Sequence, residues 1–420
     1  MSNPFDMNAL GAMLSQLGAM LQSGGGDQGP VNWELAQRTA REGLAAQGDP
    51  GVSKDERVAI LAAIQLAETW LDSVTTFPSE SVEGQAWSRS AWLEHTAPAW
   101  KTIVTPIAEH VQSVTSAGPL GASGTADIDL NSIELPPALR DAFPGGIPAE
   151  AAAMLGPLLN MAQQMGASMF GMQLGQGLAA LSTQVLGSAD VGVPLTTDHR
   201  PTLVPANVAA FTEGLGIDAD EVRLYLALRE AAHQRLFTHV PWLRSRLEAA
   251  IDAYARGIHV DTDRLHTLMQ EIDPAALQDP NQLADMLGAD AFTPADTPEQ
   301  QAALARLETL LALIEGWVDD VVSQAALNRL PAGDRLRETM RRRRAAGGPA
   351  ERTFASLVGL ELRPRALREA AAFWALLRQD RSMDGVDALW SHPDLLPTHD
   401  DLDDPMAFLV RSAEQPEDFS

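Results

Sequence analysis

The chain has 420 residues, 45% of them hydrophobic and 5% aromatic, with 30 Lys+Arg against 56 Asp+Glu for a formal net charge of −26. Such a chain is long and apolar enough to bury a large core, whereas so acidic a surface repels phosphate backbones and anionic membranes, which sets nucleic acid aside as a partner. It contains no cysteine, which excludes disulfides, thiolate nucleophiles and Cys-ligated zinc or iron–sulfur centres.

Residues 1–27 read as a flexible head. Phe5, Leu10, Met13, Leu14, Leu17 and Leu21 fall at the spacing of a short amphipathic helix, which a Gly-rich tether, SGGGDQG, joins to the rest. No Lys or Arg precedes its apolar part, unlike a secretory signal. Residues 28–115 form an N-terminal helical region, with helical periodicity over 31–47, 54–76, 85–94 and 97–115 broken by Pro, Gly and Ser. Residues 116–146 have the composition of a linker, and 147–395 that of a helical core.

The core opens on a Gly/Ala/Met-rich helical stretch over 151–187. Gln163, Gln164, Gln173, Gln176 and Gln184 interrupt it, so it does not read as a membrane span. Within it Gly175-x-Gly177-x-x-Ala180 has the form of a dinucleotide fingerprint, but no strand precedes it; small residues at 171 and 175 instead suit close approach of another helix. Residues 189–218 are irregular, with room for short strands. Helices are expected at 218–239, 241–256, 260–271, 298–327, 331–345 and 363–379. Residues 396–420 read as an acidic tail, introduced by the acidic loop SHPDLLPTHDDLDDP. The expected class is mainly α with few short strands, in a soluble cytoplasmic protein.

Two helices carry the chemistry. In LYLALREAAHQRLFTHV, residues 224–240, the string R-E-A-A-H is the zinc-protease pattern H-E-x-x-H with Arg229 at the first histidine. On a wheel of about 100° per residue, Glu230 and Gln234 fall on a polar side with Arg223 and Thr238, whereas Arg229 and His233 fall among Val222, Tyr225, Leu226, Leu236, Phe237 and Val240. Two polar side chains one turn apart on a core-facing stripe require partners, because an unpaired buried guanidinium is very costly. A second helix, LARLETLLALIEGWVDDVVSQAAL, places Glu315 in the stripe of Leu304, Leu307, Leu311, Val318 and Val322, a carboxylate suited to that pairing.

R-E-A-A-H with VPWLR, then LIEGWVDDVV, VGLELRPRALREAAAFW and ALWSHPDLLPTHDDLDDP, resemble a family of zincin-like hydrolases abundant in actinobacteria and labelled zinc-dependent metalloproteases of unknown substrate. The front end GPVNWELA and the stretch MFGMQLGQGLAALSTQVLGSADVGVPL resemble it too, so the likeness covers nearly the whole chain. The resemblance implies a zincin-like helical core in which two histidines and a later glutamate bind zinc and the glutamate between the histidines is the general base. By position Glu230 is that base, His233 the second ligand, Glu315 the third, and Arg229 replaces the first; the family's E-G-H is Glu315-Gly316-Trp317. A guanidinium is always protonated and has no lone pair for a metal, so zinc is expected to be absent or weakly bound, with Arg229 bridging Glu315.

His239 lies at the spacing of a third ligand in the longer metzincin pattern, but Leu236 stands where that pattern has its helix-breaking Gly, and on a continuous helix His239 points about 120° away from His233. A site of His233, Glu315 and His239 is the alternative ligand set. His392, Asp394, His399, Asp400, Asp401, Asp403 and Asp404 form an acidic loop of the type that gathers divalent ions or simply packs against the body. Arg341–Arg344 read as a helix end facing the molecule's own acidic surface, and Trp242, Trp317, Trp374 and Trp390 as packing. Three functions follow from this reading: a degenerate metallohydrolase that binds or regulates a protein or peptide, an active zinc peptidase or amidase with Glu230 as base and Arg229 as oxyanion stabiliser, or a helical scaffold.

Overall fold

A computed structural model of the chain describes residues 29–80, 83–116, 149–256, 297–347 and 365–414. The expected head helix, helix 260–271, residues 363–364 and most of the 116–146 linker lie outside these. Among the described residues the architecture is mainly α. In chain order the elements are α1 (Trp33–Gln47), α2 (Lys54–Leu71), β1 (Gln85–Ala86), α3 (Arg89–Ser116), α4 (Ala149–Ser182), β2 (Thr202–Leu203), α5 (Pro205–Thr212) and α6 (Ala219–His239). Then come α7 (Trp242–Arg256), α8 (Pro298–Ala326), α9 (Gly333–Ala345), α10 (Arg365–Asp380), α11 (Met383–Asp387), two 3₁₀ turns, α12 (His399–Asp403) and α13 (Pro405–Glu414).

Local signals set many of the boundaries. Asn32 caps α1, and Ser53 with Glu56 forms a capping box at the start of α2. Asp218 caps α6, whose first turn carries Asp220 and Glu221, favourable at the positive end of the helix dipole; Pro241 follows its end. Thr297 caps α8, with Pro298 at its first position.

Helices pair along their lengths: α1 lies on α4, α2 on α6 and α8 on α10, while α6 and α7 both pack against α8. The close approach of α1 and α4 depends on Gly171 and Gly175. A Cβ there would sit 2.5 Å from the Asn32 and Ala36 carbonyl oxygens respectively. Gly171 and Gly175 therefore belong to a helix-contact surface. Three expectations differ from what is observed. The segments 85–94 and 97–115 are one helix preceded by a short strand; Pro98 and Pro106 each remove a helical hydrogen bond, but burial of Trp92, Trp100, Val104 and Ile107 holds the helix together. The segment 54–76 stops as a helix at Leu71. The tail loop is largely helical, because Thr398 and Asp401 form a capping box for α12 and α13 follows, with Leu402 and Phe408 buried.

β1 and β2 pair in parallel, Gln85 opposite Thr202 and Ala86 opposite Leu203, and Gly187 bridges to Leu203. This small sheet covers α6, in which every side chain from Tyr225 to Phe237 is buried. No helix among the described residues is long and apolar enough to cross a membrane.

Candidate functional site

Because α2, α8 and the small sheet surround α6, its polar side is not turned to water as a two-faced wheel suggests. Instead its buried charged residues, Arg229, Glu230, His233 and Arg235, turn in three directions. Arg235 reaches α2, donating from Nε to Glu68 Oε2 at 2.8 Å and from Nη2 to Asp72 Oδ1 at 2.7 Å. Glu230 faces the turn before the sheet. Arg229 and His233 face α8.

At the α8 face, Arg229 Nη2 donates to Glu315 Oε2 at 2.7 Å, and His233 Nε2 lies 2.9 Å from Glu315 Oε1. His233 Nδ1 lies 2.8 Å from the Arg229 carbonyl oxygen. Arg344, from the end of α9, places Nη2 2.7 Å from Glu315 Oε1. Glu315 is only 5% exposed. Burial alone would push its carboxyl up, but the Arg344, His233 and Arg229 charges outweigh burial and hold it well below the usual carboxylate range. Burial likewise opposes the Arg229 charge, but Glu315 together with Tyr225, Asp319 and Asp190 more than offsets it, so the guanidinium stays firmly protonated. Tyr225, one turn earlier, has its phenol pushed up to about 12, chiefly by burial.

α9 supplies further cations. Arg337 Nε and Arg341 Nη2 lie 3.1 Å and 2.8 Å from Asp319 Oδ2, one turn beyond Glu315 on α8. Arg343 pairs with Asp190 at 3.0 Å. Burial would raise the Asp190 carboxyl, but Arg343 and Arg344 bring it below its ordinary value. The arginine run therefore serves the molecule's own carboxylates, as its sequence context suggests, but Arg344 reaches the centre of the site.

Glu230 has a different environment. Its Oε1 accepts from Ser188 Oγ, from the Thr202 amide at 3.3 Å and from Gln234 Nε2 at 3.1 Å; Oε2 accepts from the Ala189 amide at 3.1 Å. Burial pushes the Glu230 carboxyl up and these donors offset that in part. The fit is close: a Cβ on Gly187 would come within 2.6 Å of the Thr202 carbonyl oxygen and run into the Glu230 carboxylate. The stretch VLGSADVG thus places Gly187, Ser188, Ala189 and Asp190 around the two glutamate clusters.

His239 ends α6 with Nε2 2.9 Å from the Pro78 carbonyl oxygen and its ring stacked on Phe77, and it does not join His233 and Glu315. His392 caps a 3₁₀ turn and Asp401 pairs with Arg411, so the acidic tail is engaged locally. Trp317 is fully buried and donates to Asp387 at 2.9 Å, a core contact where the family's E-G-H places its histidine. Among the described residues no three His, Asp or Glu side chains converge as a metal site would require.

A helical protein with a buried R-E-x-x-H helix set against a glutamate of a second helix is zincin-like in class. A family model described as zincin-like metallopeptidase matches residues 31–409, and the chain belongs to that family. It is similar to a crystal structure of "a putative hydrolase with a novel fold" from Chloroflexus aurantiacus, at 18% identity and a TM-score of 0.60, over 92% of this chain and 99% of that one. Likeness at that identity concerns the fold. No curated protein matches the sequence.

The family description implies a metal, and the local donors do not fit zinc. Each Glu315 oxygen already faces a guanidinium, and His233 Nε2, the ring nitrogen not engaged with the helix backbone, faces Glu315 as well. Arg229 adds a cationic group where the pattern has its first ligand.

Proposed function

We propose that this chain is a metallohydrolase homologue in which a protein ion cluster has replaced the catalytic metal, and that it acts by binding or regulating a protein or peptide. The observation that carries this reading is the Glu315 carboxylate held between Arg229, Arg344 and His233. Such a cluster satisfies the buried charges that an absent metal would leave unpaired. The position of Glu230 supports the same reading: four donors bind its oxygens, and Glu230 is not in the wall of the pocket above Glu315. A general base needs a free oxygen within reach of the water it deprotonates.

A ligand that binds only the native state raises the melting temperature by mass action. Adding zinc in large excess over protein is therefore expected to leave Tm unchanged in differential scanning calorimetry. A zinc-dependent rise that His233→Ala abolishes would favour an active metallohydrolase with Glu230 as base.

A further inference from the structure

A pocket of about 50 Å³ opens above the Arg229–Glu315 pair, between α8, α9 and α10. By the same measure one water takes about 10–15 Å³, so there is room for a small polar head with a short apolar group. Its charged lining is four guanidiniums, Arg229, Arg341, Arg344 and Arg368, against two carboxylates, Glu315 and Asp319. Both carboxylates are already taken, Glu315 by three side chains and Asp319 by Arg337 and Arg341. Two donors remain. Arg344 Nε is buried with no acceptor, and Arg368, exposed at the rim, has none among the described residues. A surplus of cation in a chain of net charge −26 runs against the rest of the surface and concentrates anions at this point. The other wall is apolar, formed by Met340, Leu367 and Ala371.

We propose that this pocket binds the terminal carboxylate of a peptide, with Arg344 and Arg368 receiving the carboxylate and Met340 and Leu367 receiving an apolar last side chain. Arg368 offers a planar guanidinium fork that matches a carboxylate in two parallel hydrogen bonds, Arg344 Nε adds a single donor because its Nη2 is held by Glu315, and the apolar wall selects against a bare inorganic anion. The inference rests on the metal-free reading above, because the same guanidiniums would repel a bound zinc ion.

Isothermal titration with N-acetyl-L-leucine, N-acetyl-L-leucinamide, acetate and inorganic phosphate tests it on the full chain. N-acetyl-L-leucine is expected to bind, the amide not to, and acetate to bind more weakly for want of the apolar group. Arg368→Gln, at an exposed position, is expected to weaken binding by roughly five- to tenfold, and raising the salt to weaken it further. Equal binding of acid and amide, no binding of the acid, phosphate binding as tightly as N-acetyl-L-leucine, or unchanged affinity in Arg368→Gln would each overturn the proposal. Zinc content measured on the same protein separates the two readings. Without zinc and without N-acetyl-L-leucine binding, only the carboxylate pocket fails; with stoichiometric zinc, the metal-free reading fails.

Discussion

Replacing Glu315 with alanine is expected to destabilise the protein by about 3–5 kcal/mol, the cost of leaving a buried ion pair without one partner. Here the loss leaves Arg229 and Arg344 facing each other with His233 and no anion between them. Urea denaturation of the natural protein and of Glu315→Ala measures it. A second variant, Glu315→Leu with Arg229→Met and Arg344→Met, separates charge burial from packing, because buried ion clusters replaced by apolar groups of similar volume are often neutral or more stable. It is expected to recover much of the loss. A Glu315→Ala change below about 1 kcal/mol would mean that the cluster is loosely held and wet. The pH dependence has a definite sign. The folded-state value of Glu315 lies below its unfolded value, so its contribution is full above the unfolded value and is lost progressively as pH falls from there through the depressed folded value. Natural protein therefore keeps this contribution in mild acid, and the gap to Glu315→Ala closes only in strong acid.

Glu230→Ala is expected to cost about 3 kcal/mol or more, because it leaves Ser188 Oγ, the Ala189 and Thr202 amides and Gln234 Nε2 short of an acceptor, at about 1–3 kcal/mol for each group that stays unsatisfied. Glu230→Gln keeps one oxygen but turns an NH₂ group towards donors, so an intermediate loss is expected. Thermal and urea unfolding check both variants. A glutamate whose work is proton transfer alone would instead leave stability unchanged on truncation. The sign for Glu230 is opposite to that for Glu315: its folded value is raised, so its contribution is full below the unfolded value and is lost as pH rises through the folded one. Removing the carboxyl should flatten the stability profile across that rise.

The burial of three residues at the centre of the site was legible for one reason: Arg229, His233 and Glu315 each stand in the middle of an apolar stripe, and buried charge requires buried countercharge. What covers a helix is not written in its own periodicity. Glu230 and Gln234 lie on a side that a wheel marks as polar, yet α2 and the small sheet enclose it, and three of the four donors to Glu230 come from residues 188–202, more than twenty positions away. Arg344 was hidden by its neighbours, since four consecutive arginines resemble a solvated helix end. A finer signal was present: Arg337, Arg341 and Arg344 recur at i, i+4 and i+7, one face of α9, and Glu315 and Asp319 recur at i and i+4 on α8. Matching those two faces would have predicted the α8–α9 contact. In the same way Thr398-x-x-Asp401 is a capping signature that marks α12 within an otherwise loop-like composition.

In the proposed function, protein cations hold Glu315 where the family pattern expects a metal. Metal content by mass spectrometry tests it most directly, on chelator-free protein equilibrated with zinc and desalted, with Arg229→His carrying Arg344→Gln measured alongside. Far less than one zinc per chain is expected in the natural protein, and a gain towards about one per chain in the double variant, where the introduced imidazole would join His233 and a freed Glu315 as a three-ligand set. About one zinc per natural chain, lost on His233→Ala, would contradict it.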